Sequence, residues 1–213
     1  FAQVRAVRDA LEYQLKAMEA ELGSPQPVLE QVRTDAGDSL SRIQAHWQSG
    51  AIDPSLDIRM HHGQESPAAA DRPIRMGVYP VAADPFQWAH LLIGLRAMAE
   101  FKLDKVIYVL AGDDSRKPNM TPVLHRHPMG RAVLAAFSPL FAYSPIAVGT
   151  NYDGETNIFR MLALNSTQAI EAFYLVGGDH YKLTDKNGND DTLPKIEKKL
   201  ARPDSGHNPA LHQ

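Results

Sequence analysis

The chain has 213 residues, of which 44% are hydrophobic and 22% are charged, and its formal net charge at pH 7 is -3. This composition is that of a globular protein with a sizeable core, and it excludes a broad basic surface for nucleic acid. The absence of cysteine excludes disulfides, thiolate nucleophiles and cysteine-ligated zinc, and it fits a cytoplasmic protein. No apolar run approaches the roughly 18 residues that a membrane span requires, so we expect no membrane partner and no nucleic-acid partner.

Residues 1–50 are predicted to form a helical extension. In residues 1–22 apolar side chains recur every three or four positions, which predicts an amphipathic helix with one apolar stripe. A second helix is predicted over residues 28–47, with a break or bend at Gly37 and a C-terminal cap at Gly50. The stripe is too long to leave exposed, so we expect it to pack on the rest of the chain or on a second subunit, as in a homo-oligomer.

Residues 51–73 carry no clear periodicity and contain several prolines. We interpret this polar stretch as a linker or a long surface loop. It separates the helical extension from a main domain over residues 74–213.

From residue 74 onwards, short apolar segments alternate with helical ones. Strands that are apolar on both faces are typical of parallel sheets covered by helices, so this alternation predicts an α/β protein with a doubly wound parallel sheet. Ligands in such sheets bind beyond the carboxyl ends of the strands. The predicted strands are 74–81, 105–110, 145–149 and 172–176, and the predicted helices are 85–101, 128–137, 155–165 and 192–200.

The first strand leads through a small-residue turn into Asp84 and Pro85. Asp84 is a favoured helix N-cap and Pro85 suits the first helical position, so the free amides of this turn are predicted to bind an anion. Gln87 and His90 lie three residues apart on one helix face, where they can flank a phosphate chain. The alternative interpretation is a packed or solvent-facing His90 and an ordinary helical Gln87.

The segment DPFQWAH, residues 84–90, resembles the signature of the nucleotidyltransferase superfamily that includes nicotinate- and nicotinamide-mononucleotide adenylyltransferases. The family pattern is roughly Gly-x-Phe-(Asp/Asn)-Pro-x-(His/Thr)-x-x-His. Asp84, Pro85 and His90 match it, and Gln87 stands where His or Thr is usual. Gln donates a hydrogen bond but carries no charge.

Further segments resemble the family in the same order along the chain. The loop 111–118 ends in a lysine beside proline, at Lys117, and Arg126 begins an Arg-x-x-Met segment. Residues 173–179 resemble the end of the family's fourth strand, Gly-x-Asp. The Ser/Thr-rich helix start followed by Arg, which normally closes the family's domain, is not found up to Gln213.

The resemblance implies a Rossmann-like fold and adenylyl transfer from ATP to a pyridine mononucleotide, with Mg²⁺ accompanying ATP and no protein-bound metal. It implies catalytic roles for His90 and Gln87. Two alternatives stay open, namely a related transferase with another phosphate acceptor and a nucleotide-binding module without turnover. The residues that the resemblance implies in nucleotide and phosphate binding are Val81, Ala82, Asp84, Lys117, Arg126, Gly177 and Asp179.

Two pairs of histidines outside these motifs raise the question of a metal site. His61 and His62 are adjacent, and His125 and His127 are two residues apart. No HExxH motif or spaced carboxylate set accompanies them, so we interpret them as surface histidines.

Overall fold

The computed structural model describes residues 2–113, 117–177, 188, 192–202 and 208–213. Within them the chain is an α/β protein with a four-stranded, all-parallel sheet and an N-terminal helical region, consistent with a Rossmann-like fold. The strand order is β3-β2-β1-β4. The elements in chain order are α1 (Ala2–Leu22), α2 (Pro27–Gln48), β1 (Ile74–Val81), α3 (Trp88–Phe101), β2 (Lys105–Leu110), α4 (Val123–Ala135), β3 (Phe141–Ser144), α5 (Gly154–Leu164), β4 (Ile170–Tyr174) and α6 (Thr192–Leu200).

Helices α1 and α2 form a hairpin whose apolar stripe is buried inside the chain. Val4, Leu11 and Leu15 of α1 belong to the same buried cluster as the inner face of α2 and residues of α3 and β2. The predicted break at Gly37 is wrong, because α2 continues through it. Burial of the neighbouring helix positions outweighs the roughly 1 kcal/mol that glycine costs in a helix. Gly50 follows the helix with a φ of 73°, which confirms its predicted capping role.

The sheet is covered on both faces, which confirms the predicted doubly wound arrangement. Along β2, Val106, Tyr108 and Leu110 pack with α3, whereas the alternate residues Ile107 and Val109 pack with α5. Strands β1 and β2 have the predicted bounds. The first three strands extend the sheet in one direction from β1, and β4 lies on the other side of β1. The crevice between the carboxyl ends of β1 and β4 is therefore the topological switch point.

Two predicted elements were misplaced by several residues. Strand β3 lies at 141–144 and not at 145–149, because Pro145 has no N–H to donate to a ladder. Helix α4 lies at 123–135 and not at 128–137, and Pro128 is inside it. Asp113 accepts a hydrogen bond from the Val123 amide at 2.9 Å, so a side chain from the preceding loop satisfies the helix start that sequence spacing had placed at the proline.

Residues 51–73, which we call the strap, contain neither helix nor strand. Buried polar side chains bind the strap to the rest of the chain. Asp104 accepts hydrogen bonds from the Asp53 amide at 2.7 Å and from Arg72 at 2.6 and 2.8 Å. Asn165 exchanges two hydrogen bonds with the backbone of Arg59. These two anchors lie near the end of the sheet where β2 begins, opposite the crevice.

Candidate nucleotide site

A cavity of about 360 Å³ lies at the switch point. Its walls come from the carboxyl ends of β1, β2 and β4, the first turn of α3 and the beginning of α5. This volume is at the lower end of the range for small-molecule sites, about 300–1,000 Å³. The lining residues are Tyr79, Pro80, Val81, Ala82, His90, Val109, Ala111, Tyr152, Asp153, Gly154, Asn157, Tyr174, Val176 and Gly177.

The first turn of α3 differs from its predicted form. Helix α3 begins at Trp88 with Gln87 as N-cap, so the prediction that Asp84 caps the helix and Pro85 begins it is wrong. The peptide bond between Asp84 and Pro85 is cis. Gln87 and His90 form a reciprocal capping box, in which each side chain accepts a hydrogen bond from the other residue's backbone amide. The helix start is thus set by the pair that the sequence assigns to phosphate binding.

The capping box determines which ring nitrogen of His90 carries the proton. Its Nδ1 accepts a hydrogen bond from the Gln87 amide at 2.9 Å, so the neutral ring carries its proton on Nε2. The ring packs near Phe86 and Tyr79, with centroid distances of 5.2 and 6.2 Å, and burial lowers the pKa of His90. The imidazole is therefore a neutral hydrogen-bond donor at neutral pH.

A buried tyrosine of β2 binds the first turn of α3. The Tyr108 hydroxyl donates a hydrogen bond to the His90 carbonyl oxygen at 2.9 Å, and Tyr108 is fully buried. It reaches that oxygen because Gly94 has no side chain: a Cβ there would lie 2.1 Å from the Tyr108 hydroxyl oxygen. The position of His90 thus depends on β2 as well as on its own helix.

Asp84 connects two loops at the cavity. Its carboxylate accepts a hydrogen bond from the Thr121 amide at 2.7 Å, and hydrogen bonding to Thr121 lowers the pKa of Asp84. Asp84 belongs to the loop after β1 and Thr121 to the loop after β2. The carboxylate therefore joins the loops that follow the two central strands.

Arg126 is completely buried and binds backbone carbonyl groups. Its guanidinium donates to the Ala82 oxygen at 2.6 Å and to the Ala111 oxygen at 2.9 Å, both in cavity-lining residues. It also donates to the oxygens of Gly112 at 3.2 Å and Thr121 at 2.6 Å. Four hydrogen bonds thus hold the two loops together, and its assignment to phosphate binding stays a prediction.

The loop after β2 packs closely against the chain that follows β3. A Cβ at Gly112 would lie 1.9 Å from the Thr150 carbonyl oxygen and 2.5 Å from that of Ala147, so only glycine permits this approach. His127 strengthens the same region, because its Nε2 donates to the Ala111 oxygen and Tyr143 contacts its Nδ1. His127 is 6% exposed, so its interpretation as a surface histidine is wrong. Its partners lie on other elements and leave no local pattern.

The beginning of α5 forms the opposite wall of the cavity. Asp153 caps α5 by accepting a hydrogen bond from the Thr156 amide at 2.8 Å, and its second oxygen lies 2.6 Å from the Lys199 ammonium. Burial by itself would raise its pKa, but the hydrogen bonds from Lys199 and Thr156 lower the pKa of Asp153 to about 2. Glu155 accepts a hydrogen bond from the Tyr174 hydroxyl at 3.3 Å, and burial together with Glu155 raises the pKa of Tyr174.

The structure brings together four of the predicted site residues and leaves others apart. Val81, Ala82, His90 and Gly177 line the cavity. Lys117 is exposed and is not a lining residue, and Asp179 lies outside the described residues. The sequence analysis did not assign five lining residues to the site. Among these five, only Asp153 had a local sequence signal, the helix-capping pattern before α5. The five are Tyr79, Tyr152, Asp153, Asn157 and Tyr174.

The described part of the chain contains no group of three His, Asp or Glu side chains suited to a metal ion. Among the helices that the structure describes, none combines the length and apolarity needed to cross a bilayer.

Comparison with known proteins gives one informative similarity. Over 114 residues the chain is 30% identical to a protein of Thermoanaerobacter sp. (strain X514) named "Probable nicotinate-nucleotide adenylyltransferase", an alignment that covers 51% of this chain and 53% of the relative. The chain thus spans about half the length of the curated relative that it matches. No protein-family profile matches the chain.

Proposed function

We propose that this chain contains the nucleotide-binding domain of an adenylyltransferase that joins a pyridine mononucleotide to the AMP part of ATP. The observation that supports this most directly is the cavity at the switch point, into which the first turn of α3 brings His90 with a proton on Nε2. The sequence motifs and the relative's name favour the same chemistry.

In the proposed reaction an oxygen of the mononucleotide's phosphate attacks the α-phosphorus of ATP. A new P–O bond forms, the bond from the α-phosphorus to the bridging oxygen of the β-phosphate breaks, and pyrophosphate leaves. His90 donates a hydrogen bond to a phosphate oxygen and stabilises the charge that develops there. The fixed loops after β1 and β2 hold the nucleotide in line for attack.

Mg²⁺ enters this proposal as part of the substrate. It would be held by ATP oxygens and water. Lys117 and Asp179 remain proposed contacts to phosphate and adenylate, and Gly177 lets the nucleotide approach the backbone at the end of β4.

A second candidate, a nucleotide-binding module without turnover, is favoured by Gln87. The side chain of Gln87 is used in the capping box, and Gln87 is not a lining residue. Among the described residues that line the cavity there is one imidazole and neither lysine nor arginine. Because that imidazole is neutral at neutral pH, the described lining offers no positively charged side chain to a triphosphate.

Pyrophosphate release separates these candidates. The unaltered chain is assayed with ATP or CTP against nicotinate mononucleotide, nicotinamide mononucleotide and phosphopantetheine. We expect turnover with ATP and a pyridine mononucleotide, and a loss of at least about a hundredfold in kcat for His90→Ala. His125→Ala, which removes an exposed histidine of α4, is the matched control. Nucleotide binding without turnover on any pair would support the module, and turnover with another acceptor would identify a related transferase.

A further inference from the structure

The wall of the cavity formed by α5 carries negative charge. Asp153 lines the cavity, and Glu155 in the first turn of α5 accepts a hydrogen bond from the hydroxyl of Tyr174, another lining residue. A phosphate group in this cavity is itself an anion, so two uncompensated carboxylates beside it would repel it. The geometry thus poses a charge conflict for the proposed ligand.

Lys199 of α6 contacts both carboxylates. Its ammonium lies 2.6 Å from Asp153 and 3.4 Å from Glu155, and its side chain is 26% exposed. Asp153 is 46 residues away in sequence, so the contact joins α6 to α5 from a distant part of the chain. Because the pKa of Asp153 is about 2, its charge persists at physiological pH and is balanced by a cation instead of a proton.

We propose that Lys199 determines whether the cavity accepts a phosphate-bearing ligand, by offsetting one of the two negative charges of Asp153 and Glu155. Lys199 is a positioning residue in this role, since it acts through the two carboxylates and does not itself line the cavity. The inference rests on the proposed function, and it makes α6 part of the nucleotide site. Its effect is electrostatic, so it acts on the phosphate and not on the nucleoside, and salt weakens it.

The first experiment measures equilibrium binding by calorimetry with the full chain. The ligands are AMP and nicotinate mononucleotide, each paired with its own nucleoside, at about 20 mM and about 500 mM salt, which spans strong and weak screening. Lys199→Met is expected to weaken nucleotide binding about tenfold at low salt, to leave nucleoside binding unchanged, and to lose most of its effect at high salt. Lys198→Met removes the same charge from an exposed neighbour on α6 and should bind like the unaltered chain.

Rescue separates charge compensation from a structural role. The triple variant D153N/E155Q/K199M removes both carboxylates along with the lysine, and Asn keeps the helix cap. It should bind nucleotide within about threefold of the unaltered chain. If K199M does not fold, D153N/E155Q with Lys199 in place takes over the test, and tighter nucleotide binding at low salt is expected.

The outcomes of these binding measurements test the role of Lys199 and the proposed reaction separately. Unchanged nucleotide binding by K199M, a loss that the triple variant does not restore, or weaker binding by D153N/E155Q would overturn the role of Lys199. Turnover is not needed for these measurements, so binding without pyrophosphate release refutes the proposed reaction alone. Absence of nucleotide binding by the unaltered chain refutes both proposals.

Discussion

Replacement of Arg126 by methionine distinguishes a loop-holding residue from a phosphate ligand. Hydrogen bonds that involve a charged group contribute about 1.5–3 kcal/mol each, and Arg126 makes four of them to backbone carbonyls while completely buried. These contributions are not additive and water can replace some of them, so we expect Arg126→Met to lower the free energy of unfolding by about 3–5 kcal/mol.

This loss is measurable by thermal and urea denaturation. In a chain of this length 1 kcal/mol shifts Tm by about 2–4 °C, so Tm should fall by roughly 6–20 °C. Arg131→Met removes the same charge from an exposed position on α4 and should change stability by less than about 0.5 kcal/mol. If Arg126→Met kept the Tm of the unaltered chain and lost nucleotide binding, Arg126 would be a direct ligand and the argument from its carbonyl bonds would be refuted.

Three further substitutions test how the structure is held. Gly94→Ala should lower the free energy of unfolding by about 1–3 kcal/mol through overpacking, because its Cβ would lie 2.1 Å from the hydroxyl oxygen of Tyr108. Gly37→Ala, whose Cβ meets nothing within 4 Å, should instead stabilise helix α2 by about 0.5–1 kcal/mol. Equal effects of the two substitutions in urea denaturation would contradict this reasoning. Asp104→Ala should cost about 3 kcal/mol, since it removes the carboxylate that binds Arg72 and the strap; faster proteolysis within residues 51–73 is the accompanying readout, and unchanged proteolysis would count against the anchor. Burial lowers the pKa of His127 below its unfolded value of about 6.5, so its contribution to stability is complete above that pH and decreases as the pH falls below it. The drop in Tm from pH 7.5 to pH 5 should therefore be smaller in His127→Asn than in the unaltered chain. An identical drop would show that the pKa of His127 does not change on folding.

The sheet was predictable from the sequence because its determinants are local. Strands β1 and β2 are short apolar runs, and their covering on both faces follows from that composition. The alternation of strands with helices then defines the parallel topology and, through it, the end of the sheet where a ligand binds. The location of the crevice required no information from distant residues, whereas the position of His90 also depends on Tyr108 of β2.

The detailed site was not predictable in the same way, because its contacts join residues far apart in sequence. The burial of His127 depends on Tyr143, and the balance of charge at α5 depends on Lys199. The anchors of the strap lie up to 106 residues away from it. Hydrophobic periodicity carries no signal of such pairs, and the polar composition of residues 51–73 suits a free loop as well as an anchored one.

The departure at Gln87 can be understood from the capping box. A residue at this position affects the site in two ways, by the group it presents to the ligand and by the way it holds His90. In this chain Gln87 does the second, because its backbone amide occupies Nδ1 of the imidazole and its side chain holds the His90 amide. The site therefore keeps one well-oriented donor, Nε2, and lacks a second one from position 87. Because the described lining has no positively charged side chain at neutral pH, we expect the affinity for phosphate to depend on how far Lys199 of α6 offsets the carboxylates of α5.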